Sequence, residues 1–479
     1  MIHLSFWFFL LAFLGIGLLS ARYARKTTSD YLVAGKSVPP SLVGLSAIAT
    51  NNSGFMFTGM IGTTYAMGLP SIWLMAGWIV GDLAVSLIAV RPIRERSGIP
   101  AIESFGGLLG YWQGRHDKAL QRWAGVLTIL LLTLYASGQL TAGSKATSVL
   151  LGWPSAMGVL VGGVIVLLYS AFGGIRASIW TDVAQSAVMV AGMFVLMAVG
   201  IRHLGGMGEL GNALNQLPAG YMSVFPEKTT AGIVLFIVGW VFGGVAVIGQ
   251  PHIVIRYMCL DSPANATRMR VYYYTWFTLF YAFTIVVGLL ARLVFPDATQ
   301  FDQELALPKM AQEFLPGVFG GLILAALFAA AMSTADSIIL SCSAALTHDV
   351  LRDRERRVGF AKAMTAGVLI VAGLFAVYGS RSVFKVVLDA WGLLGSAFVP
   401  LVLFLALGGR CSERTAIGGS LVGLGAFLVA ANTSLGDVIY AAAPGILTGA
   451  LYFLVTALSG NGRSAEEGDA REAQPGSET

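Results

Sequence analysis

The stretch Ala330-Ala331-Met332-Ser333-Thr334-Ala335-Asp336-Ser337 holds a dense group of side-chain oxygens inside a long apolar run. Ser333, Asp336 and Ser337 are spaced i, i+3, i+4, so a helix puts them on one face. The hydroxyls of Ser333 and Thr334 are oxygen donors suited to a hard monovalent cation. Serines alone in such a run read as packing residues. The added Asp336 shifts the reading toward function, because a carboxylate at mid-membrane costs about 2.5–3.5 kcal/mol on insertion scales and needs a partner or water.

Two further stretches combine small or polar residues with apolar neighbours. Ala49-Thr50-Asn51-Asn52-Ser53-Gly54 interrupts one run, and Gly243-Gly244 followed by Gly249-Gln250-Pro251 interrupts another. Irregular backbone at membrane depth is tolerated where it is buried or lines a cavity. Its freed carbonyls can bind a cation, and half-helix ends can face a charged solute. The same residues equally suit close helix packing, and the residues by themselves leave both readings open. Asp182 lies about one turn into the helix that follows the Gly173-Gly174 turn. It can serve as a cation ligand, a proton carrier or a partner for Arg176. Asp82 and Asp389 are read as lining a water path, and Lys145 and Arg292 as reaching toward the outer surface.

The elements that position these groups are membrane spans. The chain of 479 residues is 56% hydrophobic and only 11% charged, less than half the charged fraction of a typical soluble domain. About thirteen apolar runs approach the ~20 residues that a helix needs to cross a bilayer. They fall at 4–22, 38–63, 68–90, 120–148, 154–172, 178–201, 229–250, 271–294, 315–348, 360–379, 383–407, 412–432 and 437–458. The predicted fold class is therefore all-α and polytopic. The segment RPIRERSGIPAIESFGGLLGYW is expected to be an amphipathic stretch on the cytoplasmic side, and 301–314 a short external helix. The tail 459–479 has no apolar period and is expected to be disordered.

Charge gives the orientation. Arg22, Arg25, Lys26 and Lys36 follow the first run, which marks it as a retained helix and not a cleaved signal. Arg91, Arg94, Arg96, Arg115, Lys118 and Arg122 form a second basic loop, and Arg256, Arg268 and Arg270 a third. Arg352, Arg354, Arg356, Arg357 and Lys362 form a fourth, with Arg410 and Arg414 in the last. The alternate loops hold fewer, among them Arg202, Lys228, Lys309, Arg381 and Lys385. The positive-inside rule then places the N-terminus outside and the C-terminus in the cytoplasm, in an inner membrane of the bacterial type. Cys259, Cys342 and Cys411 form no CxxC pair, and the five His form no metal-binding pair. No nucleophile with its base is evident, and no segment is polar and long enough for a soluble catalytic domain. An enzyme is thus not expected, and no cofactor, nucleic acid or obligatory protein partner is indicated.

The stretches SDYLVAGKSVPPSLVGLSAIAT, YSAFGGIRASIWTDVAQ, GQPHIVIRYM, AALFAAAMSTADSIILSCSAALTHDV and AWGLLGSAFVP carry a family resemblance. From about Tyr23 to Phe453 the chain resembles the sodium:solute symporter family, most closely its bacterial sodium/proline branch. The resemblance implies a LeuT-type fold of two inverted five-helix repeats. It assigns 4–22 to an extra first helix, 38–201 and 229–407 to the repeats, and 412–458 to two final helices, within a transporter domain 1–458. It implies a sodium site of backbone carbonyls at Ala49, Asn52 and Ala330 with the hydroxyls of Ser333 and Thr334. A second cation site, found in some members, maps onto Asp182, Ser333, Asp336 and Ser337, with Asp336 replacing a hydroxyl residue. The implied solute pocket involves Asn51, Ser53, Tyr135, Gln139, Gly243, Val247 and Pro251. The proline transporters have an Asp at position 51, which matters for their sodium dependence, and aromatic rings at positions 243 and 247. This chain has Asn51, Gly243 and Val247 there, with Trp240 one turn earlier, so proline is not the expected solute.

The expected function is sodium-coupled uptake of an amino acid, carboxylate or related metabolite by alternating access, with Na+ the only metal. The alternatives are a proton-coupled symporter that uses Asp182 or Asp336 and a transporter-like sensor. The short tail offers no signalling domain for the latter.

Overall fold

The computed structural model describes residues 1–23, 25, 27–299, 301–351, 358–379 and 382–459. Lys26, the arginines at 352–357, Arg381 and the tail from 460 lie outside these residues. Among the described residues the protein is helical, with no strand beyond one isolated β-bridge between Val38 and Leu260. Among the described residues nine helices are long and apolar enough to cross a membrane, by length and composition, and three shorter apolar helices accompany them. The figure of thirteen spans rests on the sequence alone.

In chain order the main helices are α1 Ile2–Ser20, α2 Pro40–Asn51, α3 Ile61–Met67, α4 Ile72–Arg96 and α5 Lys118–Leu151. Next come α6 Ser155–His203, α7 Thr230–Val245, α8 Pro251–Cys259, α9 Ala266–Val294 and α10 Ala306–Phe314. The last are α11 Gly317–Ala344, α12 Val358–Tyr378, α13 Val383–Ala406, α14 Glu413–Ala431 and α15 Ala442–Leu458.

α11 is the central post. Every residue from Ile323 to Ala344 is buried. Its run of alanines lets α5 and α6 approach closely on either side. Glycines serve the same purpose where α4 crosses α7: a Cβ on Gly244 would collide with the Trp78 carbonyl oxygen and stand 2.7 Å from the Asp82 nitrogen.

Several boundaries differ from the sequence-based expectation. The predicted spans 154–172 and 178–201 follow each other without a loop: α6 is two helices that meet at a sharp kink at Gly174, whose non-helical φ of 56° and ψ of −149° suit only glycine. The predicted span 38–63 is broken into α2 and α3 and runs on to Met67. The segment after α4 is not a free amphipathic stretch. Its first residues extend α4 to Arg96, and a buried helix Phe105–Tyr111 follows, capped by Ser104 Oγ accepting from Gly107 N at 2.9 Å. Arg94 donates to the Leu260 carbonyl, and Lys36 to the carbonyls of Ser97 and Ile99 (2.7 Å for the latter). These donors clamp that end of the bundle. The short helix expected within 301–314 is present as α10.

Candidate cation and solute site

Both expected interruptions are present. α2 ends at Asn51, and Asn52 leaves the helical region with φ −84° and ψ 60°. The chain resumes helical form near Phe55 and passes through a wide π-type turn at Met56–Met60. Gly54 is required at the break, since a Cβ there would lie 2.8 Å from Ala142 Cβ and 3.2 Å from Ala331 Cβ. α7 ends in a tight turn, Ala246–Gly249, and Gln250 is extended at φ −95° and ψ 104°. Pro251 explains this break. It opens α8 at N1, and it disfavours a helical conformation in the residue before it.

α2 meets α11 at its break. Ser333 Oγ donates to the Ala49 carbonyl (3.2 Å) and to the Ala330 carbonyl (3.1 Å). Thr334 Oγ1 donates to the Thr50 carbonyl at 2.8 Å and lies 3.3 Å from the Ala330 carbonyl. Ala49, Asn52, Ala330, Ser333 and Thr334 are all fully buried. The structure thus gathers Ala49, Ala330, Ser333 and Thr334 into one group of oxygens, with Thr50 as an unexpected fifth member. Asn52 caps the same helix end. Neither polar atom of its side chain has a hydrogen-bond partner among the described residues. Every oxygen in this group is neutral, and a small cation can bridge the two helices through them.

One layer away, Asp182, Asp336 and Ser337 form a second group around a residue that the sequence reading placed in a loop. Arg256 is in α8 and fully buried. Its guanidinium pairs with Asp182 Oδ2 at 3.1 Å and donates to Ser178 Oγ (2.7 Å), Ser46 Oγ (3.1 Å), the His252 carbonyl (2.9 Å) and Ser337 Oγ. Ser46 Oγ donates to Asp182 Oδ2 at 2.6 Å, and Ser337 Oγ lies 3.1 Å from Asp336 Oδ1. Asp182 Oδ1 and Asp336 Oδ2 accept no hydrogen bond among the described residues. The guanidinium thus pairs directly with Asp182 and reaches Asp336 only through Ser337 Oγ. Arg176 is not the partner of Asp182, because it pairs with Asp30 at 2.5 Å. Lys145 does not simply reach outward either. It pairs with Asp302 at 2.5 Å and with Glu304 at 2.7 Å.

The expected solute residues separate into two groups. Ser53, Tyr135 and Gln139 converge: Gln139 Oε1 accepts from Gly54 N at 2.9 Å, and Tyr135 Oη lies 3.5 Å from Ser53 Oγ. The Tyr135 ring meets His252 edge-on at 5.4 Å and Trp391 at 6.4 Å. Gly243 joins them through its carbonyl, which accepts from Trp391 Nε1 at 2.8 Å. Val247 and Pro251 are buried in the second break. Asn51 turns the other way. Its amide donates to Tyr273 Oη (2.6 Å) and to Asp82 Oδ2 (3.2 Å).

Trp78, Trp391 and His252 were not singled out from the sequence, and Gln250 only as part of the second interruption. A Cβ on Gly243 would stand 3.2 Å from the Trp78 ring. Trp78 packs on Trp391 (5.1 Å between centroids), Trp240 (6.2 Å) and Phe55 (6.1 Å). Aromatic rings therefore do cover Gly243: Trp78 from α4, and Trp240 from α7 itself, whose ring would stand 3.6 Å from that Cβ. Around this box Trp78 Nε1, Gln139 Nε2, Gln250 Oε1 and both ring nitrogens of His252 have no partner among the described residues. Buried polar atoms of this kind are normally satisfied. Here they give an apolar box edged with donors and acceptors, the usual make-up of a small-solute site.

Comparison with known proteins agrees with this architecture. The model of the sodium:solute symporter family matches residues 31–423. The high-affinity proline transporter PutP of Bacillus subtilis (strain 168) is 28% identical over 458 residues, covering 92% of this chain and 96% of that protein. The sodium/proline symporter of Escherichia coli (strain K12) is 26% identical over 472 residues, covering 94% and 91%. Among solved structures, a substrate-bound, outward-open Na+-coupled sialic acid symporter superposes with a TM-score of 0.79 at 20% identity, covering 95% of this chain and 97% of that one. The fold is of the LeuT type.

Proposed function

Since the chain belongs to the sodium:solute symporter family, we propose that it carries a small organic solute across the membrane together with Na+ by alternating access. The carbonyls of Ala49, Asn52 and Ala330 and the hydroxyls of Ser333 and Thr334 hold the ion. The observation that carries this reading is the direct contact of Ser333 and Thr334 with the carbonyl end of the broken α2. A cation that replaces those hydrogen bonds ties α2 to α11 and fixes the position of Ser53 and Gly54 beside it. Ion binding thereby shapes the adjoining solute pocket. Entry of one positive charge across 100 mV contributes about 2.3 kcal/mol, enough to drive a useful solute gradient.

The solute lies in the box of Ser53, Tyr135, Gln139, Gly243, Val247 and Pro251, bounded by Trp78, Trp391 and His252. It is an amino acid, a carboxylate or a related metabolite. The two unpartnered oxygens of Asp182 and Asp336 favour a second cation, sodium or a proton, in the lower group. Asp182, Ser333, Asp336 and Ser337 are its proposed ligands. The helices 38–201 and 229–407 form the two repeats that move against one another, with the N-terminus outside and the C-terminus in the cytoplasm.

The test is a thermal-shift screen of the purified protein against amino acids and carboxylates, in NaCl and in choline chloride. A solute whose stabilisation grows with Na+ is expected, because linkage between two ligands is reciprocal. Uptake of that solute into proteoliposomes should then require Na+ and lose its Na+ dependence in Thr334→Ala. Uptake that runs equally well in choline under an imposed pH gradient would replace the sodium reading with a proton-coupled one.

A further inference from the structure

Asp82 is fully buried on α4, and among the described residues no Lys or Arg forms an ion pair with it. Its partners are donors. Tyr273 Oη donates to Oδ2 at 2.7 Å, Asn51 Nδ2 to Oδ2 at 3.2 Å, and Tyr274 Oη to Oδ1 at 2.7 Å. Asn51 Nδ2 also donates to Tyr273 Oη at 2.6 Å, so the tyrosine hydrogen is free to face the carboxylate. This is a ready-made cradle for a negative charge, assembled from α2, α4 and α9.

Its place in the fold gives it a use. Asn51 lies in the α2 break, between Thr50, whose carbonyl accepts from Thr334, and Asn52. On the other side α7 lies directly on the Asp82 backbone, with Gly244 required there. Asp82 thus stands where the two interrupted helices come together. The candidate ligands of the coupling sodium at the α2–α11 contact are all neutral, while Asp182 is paired with Arg256 and Asp336 is linked to it through Ser337 Oγ. A cation in a medium of low polarity needs a counter-charge, and opposite charges attract strongly at short range there.

We propose that Asp82 is the fixed counter-charge of the coupling cation, acting as a positioning residue through the amide of Asn51. It offsets the ion's charge and holds the broken end of α2 in the conformation that presents its carbonyls. This inference rests on the sodium site argued above.

The test is equilibrium 22Na+ binding to the purified full-length protein, with choline chloride holding ionic strength constant. Asp82→Asn should weaken Na+ binding about tenfold or more. The swapped double variant, Asn51→Asp with Asp82→Asn, again places one carboxylate against one amide. It should recover affinity to within about threefold of wild type. A merely structural hydrogen bond predicts no such recovery of ion affinity. The proposal is overturned if Asp82→Asn binds 22Na+ as wild type does, or if the swapped protein binds no better than Asp82→Asn while eluting as a monodisperse species. Should Asp82→Asn alone fail to fold, the swapped protein decides: saturable binding near wild type supports the proposal, and its loss overturns it. If wild type shows no saturable binding that Thr334→Ala removes, the sodium site itself is wrong, an outcome distinct from failure of the Asp82 role.

Discussion

Replacing Arg256 by Met tests whether the Asp182–Asp336 group is held by a buried guanidinium. The side chains of Arg256 and Asp182 are 1% and 0% exposed, so neither charge is relieved by water. Methionine fills much of the volume, but leaves Asp182 without its ion-pair partner and strips the guanidinium from Ser178 and Ser337. Breaking a buried pair from one side costs about 3–5 kcal/mol. For a chain of this size, about 1–2 °C of melting temperature is lost per kcal/mol, so the drop should be on the order of 3–10 °C. Asp182→Asn should cost less, about 1–3 kcal/mol, because Arg256 keeps Ser46, Ser178, Ser337 and the His252 carbonyl. The two substitutions together should cost less than their sum by about 1–3 kcal/mol. The assay is thermal unfolding of the four purified proteins at fixed detergent and salt. A melting temperature for Arg256→Met within about 1 °C of wild type, or strictly additive losses, would refute the buried-pair reasoning.

Gly244→Ala should destabilise the protein by about 3 kcal/mol or more through its clash with the Trp78 carbonyl, seen as loss of the monodisperse fraction on size exclusion. Gln139→Ala removes the acceptor of Gly54 N at the α2 break; a cost of about 1–3 kcal/mol and a weaker solute-induced thermal shift are expected. Lys36 is held at a pKa of about 8 by burial, with the nearby Arg94 adding to the effect. Its folded-state pKa lies below its unfolded value, so between about pH 8 and 10.5 the unfolded chain binds more protons at this group. The Lys36 contribution to stability should therefore rise with pH across that window. The difference in melting temperature between wild type and Lys36→Met should then shift in favour of wild type from pH 8 to 10, and a pH-independent difference would contradict it.

The breaks in the second and seventh spans were legible because their causes are local. Asn51-Asn52-Ser53-Gly54 and Gly249-Gln250-Pro251 are runs that leave a helix by their own chemistry. The oxygen face of α11 was legible for the same reason, since i, i+3, i+4 spacing needs no tertiary knowledge. Arg256 was not. Read along the chain it looked like one of a basic loop cluster with Arg268 and Arg270, and its partners Ser46 and Ser178 lie 210 and 78 residues away. The helix α8 that buries it is only nine residues long, too short to stand out as a span. Asp82 was noticed as an intramembrane charge, yet its cradle combines α2, α4 and α9, and no spacing rule links Asn51, Asp82 and Tyr273. The covering of Gly243 by Trp78 was equally hidden, because the ring comes from another helix.

Locating a sodium surrogate directly would test the proposed ion site most sharply. Crystals of the full-length protein soaked in Tl+ in place of Na+ should give an anomalous difference peak within coordination distance of the Ala49 and Ala330 carbonyls and the Ser333 and Thr334 hydroxyls, reduced by competing Na+ and lost in Thr334→Ala. Peaks confined to the Asp182–Asp336 group, or none between α2 and α11, would contradict the account.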